Sequence, residues 1–144
     1  MKKIDKILLN LDSTEESQHA LETAIFLAKT CSASIIAINI VNKNVVTNLA
    51  RFSDKSIAEI EVELEENGWH YLYDAEEKAK SQEARIVIIQ EYGYPEQTLP
   101  KLASEYNVDL IIIGQNPKMR KDVAQGKTAE QIIEHAPCAV LVVN

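Results

Sequence analysis

The chain has 144 residues, of which 46% are hydrophobic and 26% charged, and its net charge is −7. That length fits one domain spanning 1–144 with a core of its own and no need of a disulfide or metal staple, and the composition excludes a disordered or fibrous chain. The acidic balance repels phosphate backbones and anionic membranes, which argues against nucleic-acid and membrane partners.

Five short runs rich in Ile and Val occur at residues 7–11, 35–41, 86–89, 110–113 and 139–143. They are continuous rather than alternating, as in strands covered on both faces. Helical patterns lie between them. The first follows Ser13, with Glu16 at capping-box spacing, and repeats Ala20, Ala24, Leu27 and Ala28. The stretch from Asn42 to Phe52 is polar and irregular and reads as a mobile loop. A longer helix is expected over residues 53–81. Its face is Ile57, Ile60, Leu64, Leu72, Ala75 and Ala79, and Gly68 marks a break or bend. The third helix begins at Pro95 with the stripe Leu99, Leu102, Ala103 and Tyr106; Pro100 inside it predicts a kink or a late start. The fourth is expected from about Thr128, with Gln131 completing a capping box, through Ile132 and Ile133 to Ala136-Pro137.

The order βαβαβαβαβ argues a doubly wound parallel α/β sheet with right-handed crossovers. In such sheets ligands bind at the carboxyl edge, at the topological switch point. Asp12, Val41 and the chain from Gly114 onward should meet there. Asp12 serves as a cap or turn residue, as a polar contact to a ligand, or as both.

Cys31 and Cys138 are far apart in sequence and apolar in surroundings, as expected of core thiols in a reducing compartment. With no signal-peptide pattern and no apolar run long enough for a bilayer, the expected location is the cytoplasm. His19, His70 and His135 show no metal-ligand spacing, and the glutamates from Glu59 to Glu66 read as a solvated helix face. No nucleophile elbow, H-E-x-x-H or C-x-x-C is present, so no catalytic residue is assigned and no enzyme is expected.

The run from Gly114 to Thr128 is the most informative. Gly114 follows a buried strand, and Gly126 is expected to precede a helix whose free N–H groups and positive dipole end suit an anion. Lys127 and Thr128 add a cation and a hydroxyl. Lys118, Arg120 and Lys121 form a basic patch that reads as a solvated loop. The Gly-Lys-Thr triplet is no P-loop, because the glycine required five residues before Gly126 is Lys121. A receiver domain is excluded as well. The first strand ends in the single acidic residue Asp12, the third runs into Gln90-Glu91, and the fifth reaches Asn144 without a lysine.

Over its whole length the sequence resembles the universal stress protein family. The resemblance is carried by KILLNLDSTEESQHALETAIFLA, by ASIIAINIV, and above all by VDLIIIGQNP followed by GKTAEQIIEHAPCAVLVV. It implies a three-layer, five-stranded, Rossmann-like fold of the adenine nucleotide alpha hydrolase-like type. It also implies a role in stress response and a homodimer paired through the last strand, Ala139–Val143. That strand is apolar and uncharged, and as an edge strand it needs cover or a partner. One branch of the family binds ATP, with Mg, through G-x-x-G, nine residues, then G-[S/T]. By position, Asp12 and Val41 match the adenosine contacts, Gly114 the first glycine and Gly126 the third, with Lys127 and Thr128 beside it.

The sequence departs from that pattern. Pro117 stands in place of the second glycine, the spacing from Gly114 to Gly126 is one residue short, and Lys127 replaces the hydroxyl residue. Proline brings no N–H and cannot take positive φ. Each charge-assisted bond lost from a phosphate cradle costs about 1.5–3 kcal/mol. Two such losses weaken affinity about a hundredfold or more. The expectation is a homodimeric stress protein with an unidentified protein partner that binds adenine nucleotide weakly or not at all. The alternative is a slowly hydrolysing ATP switch that uses Asp12, Gly114, Gly126 and Lys127.

Overall fold

The structure is a computed structural model that describes residues 3–116 and 123–144, the side chains of 123–127 excepted. The chain runs β1 (Lys6–Asn10), α1 (Glu15–Cys31), β2 (Ser34–Asn42), α2 (Lys43–Arg51), α3 (Ile57–Ser81), β3 (Arg85–Gly93), α4 (Pro95–Glu105), β4 (Leu110–Gly114), α5 (Val123–His135) and β5 (Ala139–Val143). The strands form one sheet in the order β3-β2-β1-β4-β5, and every pairing is parallel. Strand order reverses beside β1, between β2 and β4, so the carboxyl ends of these three strands form the switch point.

Alternate residues of the strands feed two cores. Ile7, Leu9, Ile35 and Ala37 pack against Ala20, Leu21 and Ala24 of α1 and Leu72, Ala75 and Ala79 of α3. Leu8, Ile38 and Ile111 pack on the other face against Leu99 and Leu102 of α4 and Ile132 of α5. The period-2 alternation of a strand thus supplies both layers from one short apolar run. Burying each large aliphatic chain contributes roughly 1.5–3 kcal/mol relative to exposure. Cys31 packs against the first core and Cys138 against the second, and burial pushes the Cys138 thiol up from its ordinary value. Among the described residues no helix is long and apolar enough to cross a membrane.

Several local expectations are corrected. The expected loop from Asn42 to Phe52 is mostly the helix α2. The Asn42 side chain caps it by accepting from the Asn44 N–H at 2.9 Å, and Val46 packs with Val41 and Ile60 in a small third core. The cap of α1 is Thr14 rather than Ser13; its hydroxyl accepts from the Ser17 N–H at 3.2 Å. The long helix starts at Ile57 behind the cap Ser56, and Gly68 interrupts nothing. Helix α4 starts at Pro95 with Pro100 inside it, so there is no late start. Helix α5 begins at Val123, which makes Thr128 its sixth residue instead of its cap and puts Gly126 and Lys127 inside the helix. Ile57, Tyr106 and Ile133, expected on apolar stripes, are exposed.

Candidate functional site

The carboxyl ends of β1, β2 and β4 open onto two adjoining cavities of about 270 and 170 Å³. Asn10, Asp12, Thr14, Asn42 and Pro95 line both. The larger lies under α2 and α3 and adds Val41, Val45, Leu64, Asn67 and Tyr71. The smaller lies toward β4 and α5 and adds Glu16, Gly114, Gln115, Asn116 and Thr128. Four expected site residues, Asp12, Val41, Gly114 and Thr128, are therefore brought to one continuous depression. Gly126 and Lys127 lie in the first turns of α5, with undescribed side chains, and Pro117, Lys118, Arg120 and Lys121 fall outside the described residues.

Asp12 is held by the turn that leads into α1. Its N–H donates to Ser17 Oγ at 3.0 Å, and its Oδ1 accepts from the Thr14 N–H at 2.9 Å and from the Thr14 hydroxyl. This is an Asx turn followed by an N-cap, so the carboxylate is oriented before any ligand arrives. Ser17 is buried and passes the connection on to the Asn10 carbonyl at 3.5 Å.

The floor and the α3 wall of the larger cavity are fixed by a polar chain that the sequence reading missed. Asn39, on β2, is buried; its Nδ2 donates to the Leu11 carbonyl at 2.9 Å. Its Oδ1 accepts from Gln90 Nε2 at 3.2 Å, and the same Gln90 nitrogen donates to the Glu65 carbonyl of α3 at 2.9 Å. A buried amide without partners would cost about 1–3 kcal/mol, so this chain ties β1, β2, β3 and α3 into one register. Gly68 makes the approach achievable. A Cβ there would lie 2.0 Å from Asn39 Oδ1 and 2.5 Å from Gln90 Nε2. The available signal was polarity in two apolar runs, Asn39 within IIAINIV and Gln90 within IVIIQ. Next to this chain, Tyr92 donates its hydroxyl to the Glu65 carboxylate, which raises the phenol to about 12.

Gly114 has a structural reason to be glycine. A Cβ would lie 2.4 Å from the Glu16 carbonyl carbon and oxygen and 2.7 Å from the Ser17 nitrogen. The end of β4 thus packs directly on the first turn of α1. The following residue secures the edge strand, because the Gln115 N–H donates to the Val143 carbonyl at 2.8 Å. Strand β5 pairs with β4 on one side and is the last strand of the sheet.

The two cavities differ in what they can hold. The larger offers apolar walls, carboxamides and a single charged residue, Asp12. The described lining of the smaller carries Asp12 and Glu16 and no cation. The described residues contain no cluster of three or more His, Cys, Asp or Glu able to hold a metal ion. The described lining of the larger cavity is thus apolar and carboxamide around one carboxylate, whereas that of the smaller one carries two.

The family model of the universal stress protein family matches residues 3–144. A Staphylococcus aureus (strain USA300) protein named as a universal stress protein is 32% identical over 144 residues, covering 96% of this chain and 82% of the relative. Among solved structures, universal stress protein UspA from Lactobacillus plantarum superposes with a TM-score of 0.81 at 20% identity, over 100% of both chains. The universal stress protein from Archaeoglobus fulgidus in complex with dAMP superposes with a TM-score of 0.66 at 15% identity, also over 100% of both chains.

Proposed function

The chain belongs to the universal stress protein family, and on that premise we propose that it is a cytoplasmic, homodimeric stress-response protein that binds adenine nucleotide weakly or not at all. The observation that carries this reading is the altered loop after β4. Pro117 occupies the place of an amide donor, and the spacing to Gly126 is one residue short. Gly114 persists, but its packing on Glu16 and Ser17 accounts for it without a phosphate. An adenine nucleotide as ligand is supported by the A. fulgidus relative in complex with dAMP. The dimer is supported by β5, an apolar strand at the rim of the sheet with one side unpaired among the described residues.

Calorimetry with ATP and magnesium tests the nucleotide part. Binding weaker than micromolar is expected, and sub-micromolar affinity overturns the reading. Light scattering tests the dimer, which a strict monomer at micromolar concentration contradicts.

A second reading is favoured by the convergence of Asp12, Val41, Gly114 and Thr128 on one depression. It is the slowly hydrolysing ATP switch, with Gly126 and Lys127 completing the phosphate end. It requires nucleotide to copurify with the protein and both Asp12→Ala and Gly126→Val to abolish that retention. Unchanged content in both variants rules it out.

A further inference from the structure

We propose that β3, the rim strand opposite β5, is a docking edge for a second copy of this chain, paired antiparallel about a twofold axis at Ile88. The inference needs neither the nucleotide reading nor the dimer through β5.

Among the described residues β3 pairs on one side only, with β2. Its outer edge therefore presents the backbone groups of alternate residues along the nine positions Arg85–Gly93. Side chains alternate between the two faces of the sheet. Ile86, Ile88 and Gln90 face α3: the two isoleucines pack on the first core, and Gln90 bonds to the Glu65 carbonyl. Arg85, Val87, Ile89 and Glu91 share the opposite face. There α4 and α5 pack over β1, β2 and β4, through Leu8, Ile38 and Ile111, and reach β3 only at Ile89. Val87 is 58% exposed as a result, beside the half-buried Ile36 of β2.

The order of these four residues is self-complementary. An antiparallel copy turned about Ile88 sets Arg85 opposite Glu91 and Val87 opposite Ile89, with the converse pairs across the axis. An apolar centre is then flanked by opposite charges at both ends. Neighbouring registers lack this match. An axis at Val87 sets Glu91 opposite Glu83, and an axis at Ile89 sets it opposite Val87. Arg85 and Glu91 make no ion pair among the described residues. At about 3.3 Å per residue they stand about 20 Å apart on their own strand, too far to pair with each other.

The α3 side of the edge adds apolar surface at the level of the axis. Trp69 and Tyr73 stack with ring centroids 5.6 Å apart, on the helix row that starts at Glu65, whose carboxylate accepts from Tyr92 of β3. Gly68 lies beside Gln90. Two residues back along the strand, about 6.6 Å, correspond to about four to five residues along the helix, so Tyr73 stands at the level of Ile88. Its ring is 57% exposed.

The test is sedimentation equilibrium of the full chain from micromolar to millimolar concentration. It is run at physiological salt, where repulsion from the net charge of −7 is screened beyond about 8 Å. The weight-average mass is expected to rise with concentration. By symmetry, Arg85→Glu and Glu91→Arg each create two like-charge pairs, and each should move the association midpoint about tenfold or more to higher concentration. The chain carrying both substitutions restores opposite charges and should associate like the parent. Arg85 also donates to the Ser32 carbonyl at 2.7 Å. The double variant lacks that bond too, so its recovery separates pairing from folding. Association unmoved by either reversal overturns the inference, and where its mass is that of two protomers the dimer through β5 stands. A strict monomer at millimolar concentration overturns both. Association that each reversal weakens and the exchange does not restore overturns the pairing about Ile88.

Discussion

The two ends of the depression are built by different means. At the α3 end the walls are side chains locked by other side chains: Asn39 to Leu11, Gln90 to Asn39 and Glu65, with α3 brought close by Gly68. At the β4 end the described architecture is backbone against backbone, Gly114 on the first turn of α1, and what it presents to the smaller cavity is acidic. A side-chain-built site tolerates change in a neighbouring loop, because its geometry comes from the buried network. A phosphate cradle made of amides has no such insurance, since one proline removes a donor and one deleted residue shifts the rest. That contrast explains how the α3 end of the depression can keep its geometry beside a loop altered after β4.

The strongest way to break this comparison is Gly114→Ala. If the glycine serves backbone packing, the new Cβ pushes β4 off α1, and stability falls by about 3 kcal/mol without any ligand, the upper part of the range for overpacking, because backbone cannot step aside. Chemical denaturation reads the effect. An unchanged midpoint would return Gly114 to a purely ligand-binding role.

Gly68→Ala probes the other end. Alanine is the better helix former by about 1 kcal/mol, so propensity alone predicts a gain. The contacts to Asn39 and Gln90 predict a net loss of about 1–2 kcal/mol, read by chemical denaturation. A stabilised variant would show that the amide chain does not set the distance between α3 and the sheet.

Thr14→Ala removes both the cap of α1 and the hydroxyl that holds Asp12. A loss of about 1 kcal/mol in stability is expected. Ligand affinity should fall beyond what that instability explains, measured well below the unfolding midpoint. Retention of full affinity would mean that the Asx turn is not what orients the carboxylate.

The smallest effect belongs to Tyr92→Phe, which removes an exposed contact to Glu65. Stability at neutral pH should change by less than about 1 kcal/mol. The phenol is raised from 10.0 to about 12 in the folded chain, so the contact's contribution is present below pH 10 and is lost as pH rises through about 12. Ultraviolet titration should show one late-ionising tyrosine that disappears in Tyr92→Phe; an unaltered alkaline titration would contradict the contact.

Much of this was legible in the sequence for physical reasons. The inner strands β1, β2 and β4 are buried and so continuously apolar, and the half-buried edge strands β3 and β5 carry similar Ile/Val runs, so all five were visible, with β5 placed at Ala139–Val143 as observed. The alternation of strands and helices supplied the sheet edge where Asp12, Val41 and Gly114 meet. Helix α2 was not legible because only Val46 among its nine residues is buried; the capping Asn42 and the Val46–Ala50 spacing were its sole signals. The start of α5 was misplaced because Gly126-Lys127-Thr128, with Gln131 after it, has the pattern of a cap, while the helix begins at Val123. The Asn39–Gln90–Glu65 chain was hidden because it joins residues far apart in sequence, one of them through a backbone carbonyl. The reason for glycine at 68 and 114 depends on which backbone approaches, which no local pattern encodes.

The measurement that bears most directly on the central claim is the nucleotide content of the purified protein after denaturation. A chain whose loop after β4 carries Pro117 and falls one residue short of the family spacing should release ATP far below one molecule per protomer. Near-stoichiometric ATP would contradict it and would make the loop from Gly114 to Thr128 a working phosphate cradle.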